Sequence, residues 1–286
     1  MDIGIGLPAA ISGVEGRRIV DWARRADERG FSSAGVIDRI VYPNYEPMVT
    51  LGAAAAVTER IRLMTTIAIV PYRANTALFA KQALSVDNLS AGRLVMGMAI
   101  GPREDDYAAS GVDVHQRGRF FDIQLQEIKE IWAGERHGHV IGPPPVRPGG
   151  PEILIGGQVD ASFRRAARFG HGWIMGGGTP DQFKQGLEQL KRAWAEAGRD
   201  GEPRTAALAY YSLGEHAVEH ARSDLEHYYA WLGEETAGAI ASSAATNAET
   251  VRQYSAAFEE AGCGELVWFP CSPGLEQVDL LADAAL

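Results

Sequence analysis

The chain has 286 residues, 46% of them hydrophobic and 22% charged, a balance that excludes a disordered chain and supplies a large core. Lys and Arg number 27 against 37 Asp and Glu, a net charge of −10; with no basic run, nucleic acid is excluded as an expected partner. Glycine reaches 33 residues, above the average of about 7% and without collagen's triplet period, so it marks turns or backbone that approaches a ligand.

Strand and helix patterns alternate along the chain. Residues 3–7 form a short β-like run, followed by a helix over 16–29 with Ile19, Ala23 and Ala26 on one face and Gly30 as its stop. Residues 33–37 read as a second strand ended by Asp38, and Pro47 opens a helix to 58. A β-branched strand over 62–70 stops at Pro71, and a helix spans 74–89. Residues 93–100 are nearly all apolar, the pattern of a strand buried on both faces. The helix over 117–132 turns Phe120, Phe121, Leu125, Ile128 and Ile131 inward. A proline- and glycine-rich stretch, 142–151, reads as a surface crossover, because the alternation resumes at once. Strands over 152–155, 172–175 and 205–212 alternate with helices over 161–169 and 180–197. Helical material over 215–245 and a helix over 248–261 lead to the last strand, 265–269, and the last helix, 275–284. These eight strand–helix units predict a single α/β domain over 1–286, a closed (β/α)8 TIM barrel with extra helix after strand 7. An open dinucleotide-binding sheet is disfavoured, since Gly4-Ile5-Gly6 lacks the third glycine of its fingerprint.

A barrel builds its site at the C-terminal ends of its strands. Those ends carry Asp38-Arg39, Tyr72-Arg73, Gly101 through Asp106, Gly156-Gly157 and Gly176-Gly177-Gly178-Thr179. The last run is the clearest signal. Three glycines let backbone N–H groups face an anion, the helix opening at Pro180 adds its positive end, and Thr179 is placed to cap it. Tyr42, Tyr72 and Trp173 are candidate substrate contacts near strand ends, whereas Trp22, Trp132, Trp194 and Trp231 fall in helices and read as packing. His216, Glu219 and His220 match the H-x-x-E-H pattern of one class of zinc peptidase. Nothing marks a third ligand, so a solvated helix face is expected, no metal, and a metallopeptidase only as a distant alternative. The longest purely apolar run, 53–57, falls short of the ~20 residues of a membrane span. The first residues lack a basic leader, and Cys263 and Cys271 make no disulfide framework. A cytoplasmic protein without a membrane partner is expected.

Several segments together resemble one family over nearly the whole chain. They are Gly30-Phe31 through Asp38, Arg62 through Arg73, Ala80-Lys81 through Asp87 with Leu89-Ser90 and Gly92-Arg93-Leu94, Gly97 through Gly101 with Asp106-Tyr107 and Gly111, and Pro151 through Gly157 with Ala166 through Trp173. This pattern is similar to the bacterial luciferase-like monooxygenase superfamily, the flavin- and F420-dependent oxidoreductases. The resemblance implies a barrel whose strand ends hold a planar tricyclic ring, F420 or FMN, and a small organic substrate. It implies hydride transfer with F420 or monooxygenation with reduced FMN and O2. It also implies a non-proline cis peptide at the end of strand 3, placed by position at Ile67–Ala68, and a homodimer. Asp38, Ile67, Ala68, Gly101, Gly156 and Gly157 become cofactor contacts, with Gly176, Gly177, Gly178 and Thr179 holding the phosphate. Where family members often carry His after the Asp of strand 2, this chain has Arg39, which stays protonated and serves as an anion contact rather than a base. Glu104 and Asp106 then remain as acid/base candidates, with Glu104 and Arg39 as the catalytic pair. A non-catalytic flavin-binding barrel is the alternative reading.

Overall fold

A computed structural model describes residues 1–134 and 138–286. Among these, the parallel strands β1 (Asp2–Gly6), β2 (Ser33–Val36), β3 (Arg62–Ile69), β4 (Leu94–Ala99), β5 (Glu152–Gly156), β6 (Gly172–Met175), β7 (Arg204–Tyr211) and β8 (Glu265–Pro270) close into a barrel in chain order, β8 pairing with β1. The outer layer comprises α1 (Gly16–Arg29), α2 (Pro47–Ala55), α3 (Thr76–Leu89), the short α4 (Glu104–Ala109), α5 (Arg117–Trp132), α6 (Asp160–Phe169) and α7 (Pro180–Glu196). It continues through α8 (Ala217–Tyr228), α9 (Glu234–Ser242), α10 (Ala248–Glu260) and α11 (Glu276–Ala285). The single barrel and the extra helix after strand 7 match the sequence reading. The sequence reading assigns no helix to residues 104–109, which form α4, whose first-turn acids complement the helix dipole.

Strand periodicity divides the core in two. Met64, Val95, Leu154, Ile174, Ala206, Leu208, Val267 and Phe269 point into the barrel and pack on one another, while the alternate strand residues meet the helices. Interior packing is tight: a Cβ at Gly97 would lie 2.2 Å from the Thr65 carbonyl oxygen, so only glycine lets β3 and β4 approach there. Phe120 departs from the inward set of α5 and is 37% exposed, because it falls beside rather than on the stripe of Phe121, Leu125 and Ile128. The N-terminal mouth is closed by Glu265, 2% exposed, bound by Arg62 at 3.2 Å and Arg204 at 2.8 Å. These cations hold its carboxyl below the usual range against the opposing cost of burial.

Two irregularities shape the other mouth. Between Thr65 and Ala68 the register of β3 against β4 shifts, and the Thr66–Ile67 peptide is cis. The cis bond lies one residue before the Ile67–Ala68 position expected from the resemblance. The irregular pair sits within the bulge, where Thr65 donates to Gly97 O and Thr66 to Val36 O. After β7 the chain leaves the barrel for α8 and α9 and returns at Ala245. There Ala245 N donates to Tyr210 O at 2.9 Å and Ser212 N to Ala245 O at 3.0 Å, so the excursion is stitched shut at its own base.

Candidate active site

A cavity of about 510 Å3 opens at the C-terminal ends of the strands. Its walls differ in kind. One is mostly backbone: Gly101, Gly156, Gly157, Gly176 and Gly177, with Ile67 in front of them. The β3 bulge presents Ile67 to the cavity, and a Cβ on Gly156 would come within 2.7 Å of its Cδ1. Gly177 has φ +135, a conformation that favours glycine, and a Cβ there would meet nothing within 4 Å, so the space beside it stays open. Gln158 Nε2 donates to Gly177 O at 2.9 Å and ties the two glycine turns together.

The opposite wall is aromatic. Tyr210 from β7, Tyr228 and Tyr229 from the end of α8, and Trp231 beyond it line the cavity. Tyr72 adds a ring from the end of β3, packed edge-on to Tyr107 at 5.8 Å. Arg103 stacks over Trp231 at 4.8 Å and is paired with Asp105. Arg117, at the start of α5, is a further cation of the lining, and its Nη1 donates to Val114 O at 2.9 Å.

The two carboxylates that reach the cavity are both engaged. Asp38, 3% exposed, accepts from Ile69 N and from Arg73 Nη2, each at 2.8 Å. Burial pushes its carboxyl up, against the pull of Arg73 and these hydrogen bonds. Asp106, 2% exposed, accepts from Ile40 N at 3.0 Å, Val41 N at 2.6 Å and Arg39 Nε at 3.1 Å. This corrects the reading of Asp106 as a free acid or base: its lone pairs are spent holding the loop after β2.

Arg39 is likewise not the open anion contact expected of it. Its charge is answered by Asp106, and its guanidinium lies between the rings of Tyr42 at 5.2 Å and Tyr228 at 5.5 Å. Only Nη1 is left without a hydrogen bond. Arg39 thus anchors the aromatic wall.

The remaining sequence candidates separate into three groups. Asp38, Ile67, Gly101, Gly156, Gly157, Gly176, Gly177 and Tyr72 line the cavity as expected. Thr179 caps α7, accepting from Gln182 N at 3.3 Å, while Gln182 Oε1 accepts from Thr179 N at 2.9 Å; neither Thr179 nor Gly178 lines the cavity. Ala68, Tyr42, Trp173 and Glu104 stand outside it. Ala68 and Trp173 are fully buried on the helix-facing side of their strands, one pleat out of register with Ile67 and Ile174. Trp173 packs between Phe163 and Phe183 and donates to Gly157 O at 2.6 Å, so it braces the glycine turn from behind. Tyr42 forms a second layer behind Arg39, its hydroxyl 2.9 Å from His227 Nδ1. Glu104 is exposed on the outer face of α4. Trp231, read as packing, lines the cavity, because the turn after α8 is laid over the mouth. Tyr210, Tyr228 and Tyr229 were missed altogether; their place at and after the end of β7 is the signal that marks them. His216, Glu219 and His220 are exposed on α8, and no group of three metal-binding side chains occurs among the described residues. No helix among the described residues is long and apolar enough to cross a membrane.

A closed parallel barrel with a cavity at the carboxyl ends of its strands has the architecture in which enzymes build their sites from strand-end loops. The sequence narrows that class. The model of the luciferase-like monooxygenase family matches residues 1–263, and the chain belongs to that family of oxidoreductases. It is 33% identical over 209 residues to an uncharacterised protein of Mycobacterium tuberculosis, covering 62% of this chain and 71% of that one. Among solved structures it is similar to the monooxygenase RslO1 from Streptomyces bottropensis, with TM-score 0.81, 21% identity, and 100% and 98% of the two chains covered. An F420-dependent secondary alcohol dehydrogenase in complex with an F420-acetone adduct gives TM-score 0.81 at 18% identity, over 99% and 97% of the chains.

Proposed function

We propose that the protein binds a tricyclic flavin-type cofactor, F420 or FMN, against the glycine wall. There it reduces or oxygenates a small neutral substrate rather than oxidising an alcohol. The residues fit such a ring: Ile67 supplies an apolar support, Gly156 and Gly176 leave a flat floor, and the opening at Gly177 lies before the positive end of α7. When bound, reduced F420 would supply a hydride, and reduced FMN would supply the two electrons that let O2 deliver one oxygen atom and release the other as water. The chain's own part is to orient ring and substrate, exclude water and direct hydrogen bonds.

The observation that carries the direction of the reaction is the commitment of both cavity carboxylates. An alcohol gives up its proton to a base as hydride leaves, yet Asp106 is held by three donors, Asp38 is paired with Arg73 and bonded by Ile69 N on the same oxygen, and Arg39 cannot accept a proton. Among the residues of the lining, Arg39 Nη1, Arg117 Nε and the Tyr72 hydroxyl are buried donors that make no hydrogen bond. Donors suit phosphate and carbonyl oxygens. Titration of the purified protein with F420 and with FMN, followed by ring fluorescence, tests the reading. Binding of one, tighter than about 100 μM, is expected and fixes the chemistry; binding of neither sinks it. Turnover of secondary alcohols faster than of the matching ketones would reverse the assigned direction.

A further inference from the structure

The aromatic wall contains a pair of phenols whose hydrogen-bond count does not close. The hydroxyls of Tyr210 and Tyr229 are 2.6 Å apart, and neither has a second partner among the described residues. In such a pair one O–H is consumed as the donor. The other hydroxyl accepts it, and its own hydrogen must point elsewhere. Around the pair stand the Phe269 ring, 6.4 Å from that of Tyr210, Leu208 below it on the same strand face and buried Cys271, with Asp224 and Arg39 further back. Both tyrosines are half-buried and line the cavity, so the hydroxyl hydrogen left over is offered to whatever fills it, water or ligand. Burial pushes both phenols above their ordinary range, so both hydroxyls keep their protons at neutral pH.

Resting on the proposed function above, we propose that the Tyr210–Tyr229 pair is the polar contact for the substrate, donating one hydrogen bond to a carbonyl oxygen. The substrate class is a neutral ketone or aldehyde with apolar or aromatic flanks. The neighbourhood selects against an anion. The nearest guanidinium, Arg39, is already neutralised by Asp106 and covered by Tyr228. Asp224 stands close behind, lining a small cavity that shares Ile37, Tyr210 and Tyr228 with the large one. A carbonyl oxygen at the pair accepts the spare hydrogen, while its substituents meet Leu208, Trp231 and the Tyr228 ring.

The test measures binding of three neutral ketones of increasing size, cyclohexanone, acetophenone and 2-acetylnaphthalene. Each is compared with the hydrocarbon in which CH2 replaces C=O, and benzoate serves as the anionic comparison. Calorimetry is run on the cofactor-free protein and again with whichever cofactor binds, so failure of the cofactor reading and failure of this proposal are read separately. At least one ketone is expected to bind about tenfold tighter than its hydrocarbon. In Tyr210→Phe/Tyr229→Phe that ratio falls to about one, and each single variant retains part of it. The double variant keeps shape and removes both members of a mutually bonded pair, so the fold tolerates it, as circular dichroism will verify. Ketones and hydrocarbons binding alike in the native protein, an unchanged ratio in the double variant, or benzoate binding tightest each overturn the proposal.

Discussion

The two walls of the cavity are made by different means. The wall of β3 to β6 is backbone, with Gly156 and Gly177 conspicuous for the side chains they lack, and it is backed by buried residues such as Trp173. The wall after β7 is side chain: four aromatic rings, Tyr228 stacked on Arg39 and Trp231 on Arg103, with Tyr210 and Tyr229 bonded to each other. A backbone wall is fixed by the barrel and suits an invariant partner. A side-chain wall on an excursion changes by single substitutions and suits the variable one.

The contrast breaks first at Asp106. Asp106→Ala leaves Arg39 buried without its counter-charge, and a loss of about 4 kcal/mol in chemical denaturation is expected. A loss under about 1 kcal/mol would mean that the aromatic wall does not hang on this pair. Next comes the glycine wall. Gly177→Val places a β-branched residue at φ +135 and fills the open space, so cofactor affinity should fall about a hundredfold, with ketone binding to the cofactor-free protein little changed. Equal loss of both ligands would merge the two walls into one site.

Asp224 gives a pH-dependent test behind the aromatic wall. Desolvation by burial raises its carboxyl from 3.8 to about 7. Between these values the folded state holds a proton that the unfolded state has lost, so stability falls as pH rises from about 4 to about 7 and stays low above. Asp224→Asn should therefore gain about 2 kcal/mol at pH 8, allowing for partial access of water, and nothing at pH 4. A gain independent of pH would refute the assignment of this carboxyl as uncharged. The smallest effect is expected at Trp231, which is 40% exposed. Trp231→Ala should raise KM for the preferred ketone about threefold, leaving cofactor affinity and melting temperature unmoved.

The same contrast explains what the sequence makes legible. Strand order, helix order and the glycine turns follow from local periodicity and from residues that permit only a few backbone conformations. The contacts of Gly156 and Gly177 with the cavity are therefore foreseeable from strand position alone. Trp173 and Ala68 mislead because one step along a strand reverses the face a side chain takes, and a bulge shifts that count. Arg39 and Asp106 are 67 residues apart, and their mutual neutralisation is a long-range contact that periodicity does not encode. Tyr228, Tyr229 and Trp231 read as ordinary helix residues until the return path of the excursion is known.

That return path has an evolutionary corollary. Because backbone hydrogen bonds join Tyr210 and Ser212 to Ala245, the intervening stretch enters and leaves the barrel at one point. Exchanging it for a relative's counterpart alters no strand register and closes no new loop, so its cost is confined to the exchanged segment. The aromatic wall can thus be exchanged as one cassette, while the glycine wall of β3 to β6 is left in place.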